Sequence, residues 1–350
     1  MLGEEIKIEE KLFSNEDVRI AIVGVGGGGC NTINRIENMN LKHVKTIAIN
    51  TDNLHLLSIK AQKKVLIGRE ITKGLGAGGF PEVAEKCAEI SRNEIAANIG
   101  ENELVFLATG LGGGTGTGAS PLVAKIAKEQ GAIVVSIVTT PFSLERSRIK
   151  KAEWGLERLV KESDAVVVID NNRLTKYAQN IPIHEAFKLA DEITAKAIMG
   201  ITETIVEPSL MNIDFADVRS VMENGGVSLI SLGEGAGPDR IEMAARKALE
   251  HPLLDVSFDG AKAALIHIEA NSSLTLGDAY SLVEKITQNF APDANVKFGA
   301  RLTPIQSDTI LTTTIVTGLK SEAVQKVMGE KIAQQQKVKE LAYLEAIERI

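Results

Sequence analysis

The stretch "ELVFLATGLGGGTGTGAS", residues 103–120, decides the fold that this chain can adopt. An apolar run leads into it, and six of the nine residues that follow Thr109 are glycine. Glycine loses more conformational entropy on folding than other residues, so a loop this rich in it indicates close approach of the backbone to a ligand. A helix that begins near Ala119 would let backbone N–H groups and the hydroxyls of Thr115 and Thr117 converge on phosphate oxygens.

Two more glycine turns follow predicted strands. The stretch "IAIVGVGGGGCNTINRI", residues 20–36, has the spacing G-x-G-x-x-G, and Asp52 ends the next predicted strand. This spacing is typical of dinucleotide binding, because its glycines let the backbone approach a pyrophosphate at a helix N-terminus. The stretch "KGLGAGGFP", residues 73–81, follows the apolar run "KVLIG" and is placed to close over a terminal phosphate.

The number of glycine turns separates the possible ligands. A nicotinamide cofactor needs one pyrophosphate cradle, whereas a nucleoside triphosphate that lies across several strand ends can use two or more. A single turn could also be a tight strand-to-helix connection without a ligand, but three at successive strand ends argue against that. The P-loop pattern G-x-x-x-x-G-K-[ST] does not occur in the sequence, so we expect a triphosphate site of a different design.

Composition limits the class of protein. With 350 residues, 44% of them apolar and 24% charged, the chain can form two domains. A net charge of −7 with interleaved signs argues against a nucleic-acid partner. No apolar run is long enough to span a bilayer, and the start "MLGEEIKIEE" is too acidic for a signal peptide, so we expect a cytoplasmic protein without direct membrane insertion. Two cysteines without C-x-x-C spacing and five scattered histidines predict reduced thiols and no metal site built from protein ligands.

The apolar runs predict an α/β fold. Runs such as "VRIAIVGV", "KTIAIN", "AIVVSIVTT" and "AVVVID" alternate with segments of helical period, which indicates a doubly wound, Rossmann-like sheet of parallel strands. Apolar residues on more than one face over 182–207 predict a long central helix buried between two domains. A smaller α/β unit with a mixed sheet follows. The predicted units are an N-terminal extension (1–15), a nucleotide-binding domain (16–181), the central helix (182–207), a C-terminal domain (208–318) and a helical tail (319–350).

Several motifs together point to one family. The heptapeptide "GGGTGTG", residues 112–118, resembles the signature of the tubulin/FtsZ superfamily, and "NIDFADVRSVM", residues 212–222, resembles the synergy loop of its FtsZ branch. The stretches "AINTD", "TKGLGAGG", "GLERL" and "HPLLDV" match as well, and the similarity runs from about residue 18 to residue 318. The resemblance implies a cytoskeletal GTPase that binds GTP and GDP, with Mg²⁺ held mainly through the phosphates. It also implies head-to-tail polymers that form the division ring at mid-cell.

The resemblance assigns phosphate contacts to the three glycine turns, which we call the first turn (residues 24–29), the second turn (residues 112–118) and the third turn (residues 73–81). From the first and third turns it implies Gly27, Gly28, Gly29, Cys30, Ala77 and Gly78, the last two near the γ-phosphate. From the second turn it implies contacts to the α- and β-phosphates by Gly114, Thr115 and Gly116.

The resemblance also assigns residues to the nucleoside. It implies Glu145 and Arg148 at the ribose, Asn171 at the sugar or base, Asn31 at the guanine, Phe187 stacked on it, and Asp191 accepting from N1 and N2. Three of these residues also have a purely structural interpretation. Phe187 could be a core residue, and Asn171 and Asp191 could cap helices. If Asp191 reads guanine, ATP should bind far more weakly than GTP.

Two positions depart from the family pattern. Only two residues separate Glu145 from Arg148, where the family usually has three, but positions three apart still share a helix face. Phe80 stands where the family commonly has asparagine, which removes a polar group beside the third turn.

Asp214 and Asp217 are the predicted catalytic pair. They lie three residues apart at the start of a predicted helix, where capping alone would account for them. The resemblance implies instead that they orient the water that attacks GTP on the neighbouring subunit. Two other functions stay open at this point, a nicotinamide-dependent oxidoreductase and a filament protein that binds nucleotide without hydrolysis.

The tail is predicted to be a helix with a separate role. In "ELAYLEAIERI", residues 340–350, one side would carry Leu341, Leu344 and Ile347. We expect this helix either to dock on the protein itself or to bind an adaptor such as a SepF-like membrane anchor. Removal of residues 321–350 should leave GTPase activity intact.

Overall fold

The computed structural model describes residues 18–39, 41, 44–177, 180–207, 209–223, 225–250, 256–304 and 308–321. The N-terminal extension, the tail from residue 322 onward and residues 251–255 of "HPLLDV" lie outside the described residues. Within these described ranges, no helix is long and apolar enough to cross a membrane.

The first part of the chain alternates strands and helices as predicted. Its strands are β1 (Ile20–Val25), β2 (Val44–Asn50), β3 (Lys63–Leu66), β4 (Leu104–Gly110), β5 (Ile133–Thr140) and β6 (Ala165–Asp170). Its helices are α1 (Gly26–Asn38), α2 (Asn53–Ser58), α3 (Arg69–Thr72), α4 (Pro81–Ile90), α5 (Arg92–Ile99), α6 (Thr115–Glu129), α7 (Arg146–Glu162) and α8 (Asn171–Tyr177). The six strands pair in parallel in the order β3-β2-β1-β4-β5-β6. Helices cover both faces of this sheet, which is why β1, β4 and β5 read as continuous apolar runs.

The long central helix is α9 (Ile183–Val206), with Pro182 and Glu207 as its cap residues. It packs against α1 on one side and against the second sheet on the other. A Cβ atom added to Gly200 would lie 2.6 Å from Thr313 Oγ1, so the helix backbone approaches that sheet closely. Buried Ile198, Ile201 and Ile205 belong to one apolar core that extends across both parts of the molecule. The helix therefore holds the two parts in a fixed relation.

The remaining elements include the mixed sheet that was predicted and a separate antiparallel pair of strands. They are α10 (Phe215–Met222), β7 (Gly226–Ala236), α11 (Arg240–Leu249), β8 (Val256–Ser257), β9 (Ala263–Ala270), α12 (Leu276–Thr287), β10 (Asn295–Leu302), β11 (Thr309–Thr317) and β12 (Lys320–Ser321). The strand order of the mixed sheet is β7-β11-β9-β10; β11 is antiparallel to both of its neighbours, and β9 is parallel to β10. The separate pair is β8 with β12.

The two sheets are joined, which the sequence did not predict. β7 pairs with β6 in parallel through Ala165 with Gly226 and Val166 with Val227. Within the described residues, the strands from β1 to β11 other than β8 therefore form a single ten-stranded sheet. The limits of the predicted domains stay predictions.

Candidate nucleotide-binding site

A cavity of about 800 Å³ opens at the carboxyl edge of the parallel strands, where open α/β sheets bind ligands. From the first and second glycine turns, the predicted residues that line it are Gly27, Gly28, Asn31, Gly114, Thr115 and Gly116. From the later elements, they are Glu145, Arg148, Asn171, Phe187 and Asp191. Most of the residues predicted to hold a nucleotide are thus brought to one place.

The first turn uses its glycines for two different reasons. A Cβ atom on Gly29 would lie 2.2 Å from the carbonyl oxygen of Ala108, so only glycine lets α1 pack on β4. A Cβ atom on Gly27 would meet nothing within 4 Å, although Gly27 lines the cavity. The absence of a side chain at Gly27 therefore leaves space for a ligand, whereas the absence of one at Gly29 leaves space for β4. The start of α1 has no side-chain cap, and the first N–H groups of a helix lack intrahelical partners, so they can serve as anion donors.

The second turn places another helix start at the same point. A Cβ atom on Gly26 would lie 2.6 Å from the backbone nitrogen of Gly116, so the N-termini of α1 and α6 abut. The hydroxyl of Thr117 accepts a 2.8 Å hydrogen bond from the N–H of Gly112 and stabilises the turn, while Thr115 Oγ1 lies 2.7 Å from Thr51 Oγ1. Two helix dipoles directed at one cavity favour an anion with more than one phosphate group.

The third turn lies against the second. The N–H of Gly76 donates to the carbonyl of Thr51, and a Cβ atom on Gly114 would lie 2.9 Å from that of Ala77. Gly76 lines the cavity, but Ala77 and Gly78 do not. The departure at Phe80 is accommodated at the surface, where its ring is 57% exposed and lies below the ammonium of Lys151 at 5.6 Å.

The shortened Glu145 to Arg148 spacing does not separate the two side chains. Arg148 lies in the first turn of α7, and its Nη1 is 2.5 Å from Oε2 of Glu145, the N-cap residue of that helix. Both residues line the cavity. The second carboxylate oxygen of Glu145 accepts from the N–H of Phe142 at 3.2 Å. Across the cavity, the buried side-chain oxygen of Asn171 has no hydrogen-bond partner among the described residues. A polar ligand atom would satisfy it.

The wall formed by α9 suits a purine base. The rings of Phe187 and Phe142 meet edge to face with centroids 5.8 Å apart, and Phe187 is 43% exposed, so it is not a core residue. Asp191 lies inside α9, not at its end, and therefore does not cap it. Burial raises the pKa of Asp191 to about 6, against the opposing effects of the nearby Arg35 charge and a hydrogen bond with Thr32.

Six predicted residues do not line the cavity: Gly29, Cys30, Ala77, Gly78, Asp214 and Asp217. The Cys30 thiol is buried beneath the first turn, 3.7 Å from the carbonyl of Ile49, and burial raises its pKa to about 12. Asp214 caps α10, and Asp217 Oδ1 forms an ion pair with Lys297 at 3.0 Å. Both aspartates are therefore outside the nucleotide cavity of their own subunit.

Sequence reasoning missed several residues of the cavity wall, among them Asn50, His55, Thr139 and Phe142. Asn50 ends β2 and Thr139 lies at the end of β5, so the rule that parallel strands present their carboxyl ends to the ligand could have found them. Within the part of the chain that the structure describes, no group of three or more His, Cys, Asp or Glu side chains could hold a metal ion.

Comparisons with known proteins agree with this geometry. The profile of the Tubulin/FtsZ family GTPase domain matches residues 19–179, and that of the FtsZ family C-terminal domain matches residues 226–320. The chain is 51% identical to cell division protein FtsZ 2 of Methanocaldococcus jannaschii over 308 residues, covering 87% of this chain and 81% of the relative. It is 48% identical to cell division protein FtsZ 1 of Thermococcus kodakarensis over 321 residues, covering 91% and 85%.

A solved structure has the same fold. The FtsZ dimer of M. jannaschii superposes with a TM-score of 0.83 at 42% identity, covering 91% of this chain and 96% of that one. The oxidoreductase interpretation of the first glycine turn is therefore wrong, because the domain that contains it is a GTPase domain. GTP is the substrate, and hydrolysis to GDP and phosphate is the reaction. The chain belongs to the FtsZ family of cell-division GTPases within the tubulin/FtsZ superfamily.

Proposed function

We propose that this protein polymerises head to tail and that GTP is hydrolysed where two subunits meet. Asp214 and Asp217 of one subunit would orient the attacking water on the nucleotide held by its neighbour. The observation that carries the proposal is that neither aspartate lines the cavity of its own subunit, while α9 and the joined sheet hold the two parts of the molecule in a fixed relation.

We assign the phosphates to the three glycine turns. The α- and β-phosphates would accept hydrogen bonds from the second turn, at Gly114, Thr115 and Gly116. The first turn would hold phosphate through Gly27, Gly28, Gly29 and Cys30, and the third would meet the γ-phosphate through Ala77 and Gly78. The buried thiol of Cys30 leaves only its backbone for that contact. Mg²⁺, bound mainly through phosphate oxygens, would neutralise the charge that spreads in the transition state.

We assign the nucleoside to the part of the cavity that α1, α7, α8 and α9 line. Glu145 and Arg148 would bind the ribose side, and the unpartnered oxygen of Asn171 would accept from the sugar or base. Phe187 would stack on guanine. Asp191 would accept hydrogen bonds from N1 and N2, and Asn31 would contact the same base.

The distribution of exposed apolar residues supports a head-to-tail contact. Beside the cavity, Leu54, Leu75 and Leu144 are 74%, 81% and 90% exposed. In the loop that leads to Asp214, Leu210 is 71% exposed. Exposed leucines thus lie both next to the nucleotide cavity and next to the aspartates, which suits a heterologous interface that propagates instead of closing as a dimer.

The test is the dependence of turnover on concentration. Phosphate release per subunit should be near zero below a threshold concentration and rise above it, in parallel with sedimentable polymer. Asp214→Asn should bind GTP and polymerise but not hydrolyse, and in mixtures it should lower the turnover of wild-type subunits. Constant specific activity down to nanomolar protein, or a mutant that leaves its neighbours fully active, would exclude catalysis across the interface. Polymer without turnover in the wild type would favour the filament protein that only binds nucleotide.

We further propose that the polymer forms the division ring at mid-cell in the cytoplasm and that the tail recruits a SepF-like membrane adaptor. The cell-division relatives support the first part, and the amphipathic sequence of residues 340–350 supports the second. Removal of residues 322–350 keeps β12 intact and should preserve GTPase activity while abolishing adaptor binding. A loss of turnover would instead make the tail part of the catalytic fold.

A further inference from the structure

Three polar side chains form a continuous chain of hydrogen bonds along one wall of the cavity. His55 lies in the middle, with its Nδ1 3.3 Å from Asn50 Nδ2 and its Nε2 3.1 Å from Asn31 Oδ1. All three residues line the cavity, and Asn50 is buried at the end of β2 whereas Asn31 is exposed. These hydrogen bonds thus connect the sheet to the rim of the site.

The buried end of this chain fixes the direction of every hydrogen bond in it. Asn50 Oδ1 accepts from the backbone N–H groups of Thr51 and Asp52 at 2.9 and 3.3 Å, so its Nδ2 must face His55. An amide nitrogen can only donate, so His55 Nδ1 is the acceptor and its Nε2 carries the hydrogen. Nε2–H then donates to Asn31 Oδ1.

The consequence is that Asn31 has one orientation. Its carbonyl oxygen is held by His55, so its NH₂ group, which can only donate, is presented to the ligand. A free asparagine amide can rotate and pair with adenine through an acceptor for the 6-amino group and a donor for N7. An amide that offers only donors suits guanine instead, because O6 and N7 both accept.

Asn31 is also adjacent to the residue that the proposed function assigns to the other side of the base. Thr32, the next residue in α1, hydrogen bonds with Asp191, and Arg35 one turn later lies near the same carboxylate. If Asp191 reads N2 and N1, the next position around the purine is position 6. Asn31 is the neighbouring polar side chain of the cavity wall.

We propose that His55 is a specificity-determining residue, which holds the Asn31 amide so that the site prefers a 6-oxopurine over a 6-aminopurine. This inference rests on the proposed function, in which the base lies between Asn31 and Asp191. His55 itself acts through Asn31 and is a positioning residue.

Three nucleoside diphosphates separate the two sides of the base. IDP differs from GDP only in lacking the 2-amino group, which Asp191 reads, whereas ADP differs from IDP at position 6 and N1. Affinities are measured by displacement of a fluorescent GDP analogue from the full chain, with Mg²⁺ and below the assembly concentration. His55→Ala should reduce the preference for IDP over ADP about tenfold, the effect of one lost hydrogen bond and one gained adenine contact, and leave the preference for GDP over IDP unchanged.

Two variants control for the fold. His55→Gln retains an N–H that can reach Asn31 and should stay within about threefold of wild type. Leu57→Ala, on the same helix α2 but 67% exposed and outside the cavity wall, should change neither preference. An equal loss of affinity for all three nucleotides in His55→Ala would mean a purely structural role and would overturn the proposal.

Asp191→Asn distinguishes failure of this proposal from failure of the proposed function. It should abolish the preference for GDP over IDP, and if it does not, the proposed base recognition is wrong. If it does, and His55→Ala leaves the preference for IDP over ADP intact, the base is read as proposed but His55 has no part in it.

Discussion

The Oδ1 atom of Asp214 accepts a 2.7 Å hydrogen bond from the backbone N–H of Asp217. Asp214 is therefore the N-cap of α10, and Asp217 lies in the first turn of the same helix. Both carboxylates also interact favourably with the positive end of the helix dipole. The proposed catalysis would use the same carboxylates as the capping, so a single substitution cannot tell the two roles apart unless the replacement keeps one of them.

Asp214→Asn and Asp214→Ala separate capping from catalysis. Asparagine caps helices about as well as aspartate, so Asp214→Asn should change the free energy of unfolding by less than about 0.5 kcal/mol, whereas Asp214→Ala should lose about 1 kcal/mol. If the carboxylate orients the water, both variants should lose GTP turnover alike. Urea unfolding and phosphate release measure the two effects. If GTP turnover is retained in Asp214→Asn and lost only in the less stable Asp214→Ala, then Asp214 acts only as a helix cap.

Binding of GTP should depend on pH through Asp191. Its pKa is raised to about 6 by burial, so in the free protein the carboxyl is largely protonated below pH 6. The proposed contacts to guanine N1 and N2 need the ionised form. Affinity should therefore fall about tenfold from pH 7 to pH 5, with proton release on binding near pH 6. Calorimetry in buffers of different ionisation enthalpy measures both, and Asp191→Asn should bind weakly with no such pH dependence.

Stability should also depend on pH, through His267. This side chain is fully buried on β9, 3.3 Å from Ser209 and facing Glu269 and Arg301. Burial lowers its pKa from 6.5 to about 4, so the unfolded state binds the proton more readily and stability is lost as pH falls from about 6.5 towards 4.

The loss attributable to His267 should be about 2 kcal/mol between pH 7.5 and pH 5. The raised pKa of Asp191 acts with the opposite sign, because its proton binds more tightly in the folded state. The quantity to measure is therefore the difference between wild type and His267→Asn in urea unfolding at the two pH values, in which the contribution of Asp191 cancels. An unchanged difference would mean that His267 binds its proton as readily in the folded state as in the unfolded state.

Two glycines of the first turn should respond in opposite ways to alanine. Gly29→Ala would force a Cβ atom against the carbonyl of Ala108 and should cost at least about 2 kcal/mol of folding free energy. Gly27→Ala meets no protein atom and should leave the nucleotide-free protein as stable or about 0.5 kcal/mol more stable, because alanine favours the helix. It should nevertheless weaken GDP binding, since the methyl group occupies the cavity. Normal binding by Gly27→Ala would show that the phosphates lie elsewhere.

The sequence alone determined the fold class and predicted that glycines would line the cavity, as Gly27, Gly28, Gly114 and Gly116 do. Continuous apolar runs indicate parallel strands, and glycines at fixed spacing after such strands indicate turns at helix starts. Both features are local sequence patterns, so they can be recognised without the tertiary structure. The long helix was predicted over residues 182–207 and is α9, Ile183–Val206, because apolar residues on more than one face require burial between two units. Asp191, Phe187 and Asn171 were assigned by resemblance and do line the cavity, but their roles there stay predictions.

Only the tertiary structure decided which distant groups meet. The pairing of β6 with β7, which joins two sheets into one, depends on backbone hydrogen bonds that leave no side-chain pattern. The chain from Asn50 through His55 to Asn31 depends on where β2, α2 and α1 end relative to one another, and an isolated histidine in "NTDNLHLLS" carries no sign of it. A hydrogen bond between side chains forms only if the donor–acceptor distance is right to within a few tenths of an ångström. That distance is set by the packing of whole elements and not by local sequence. The resemblance had already assigned Asp214 to the nucleotide of the neighbouring subunit, and in the folded chain Asp214 does not line its own cavity.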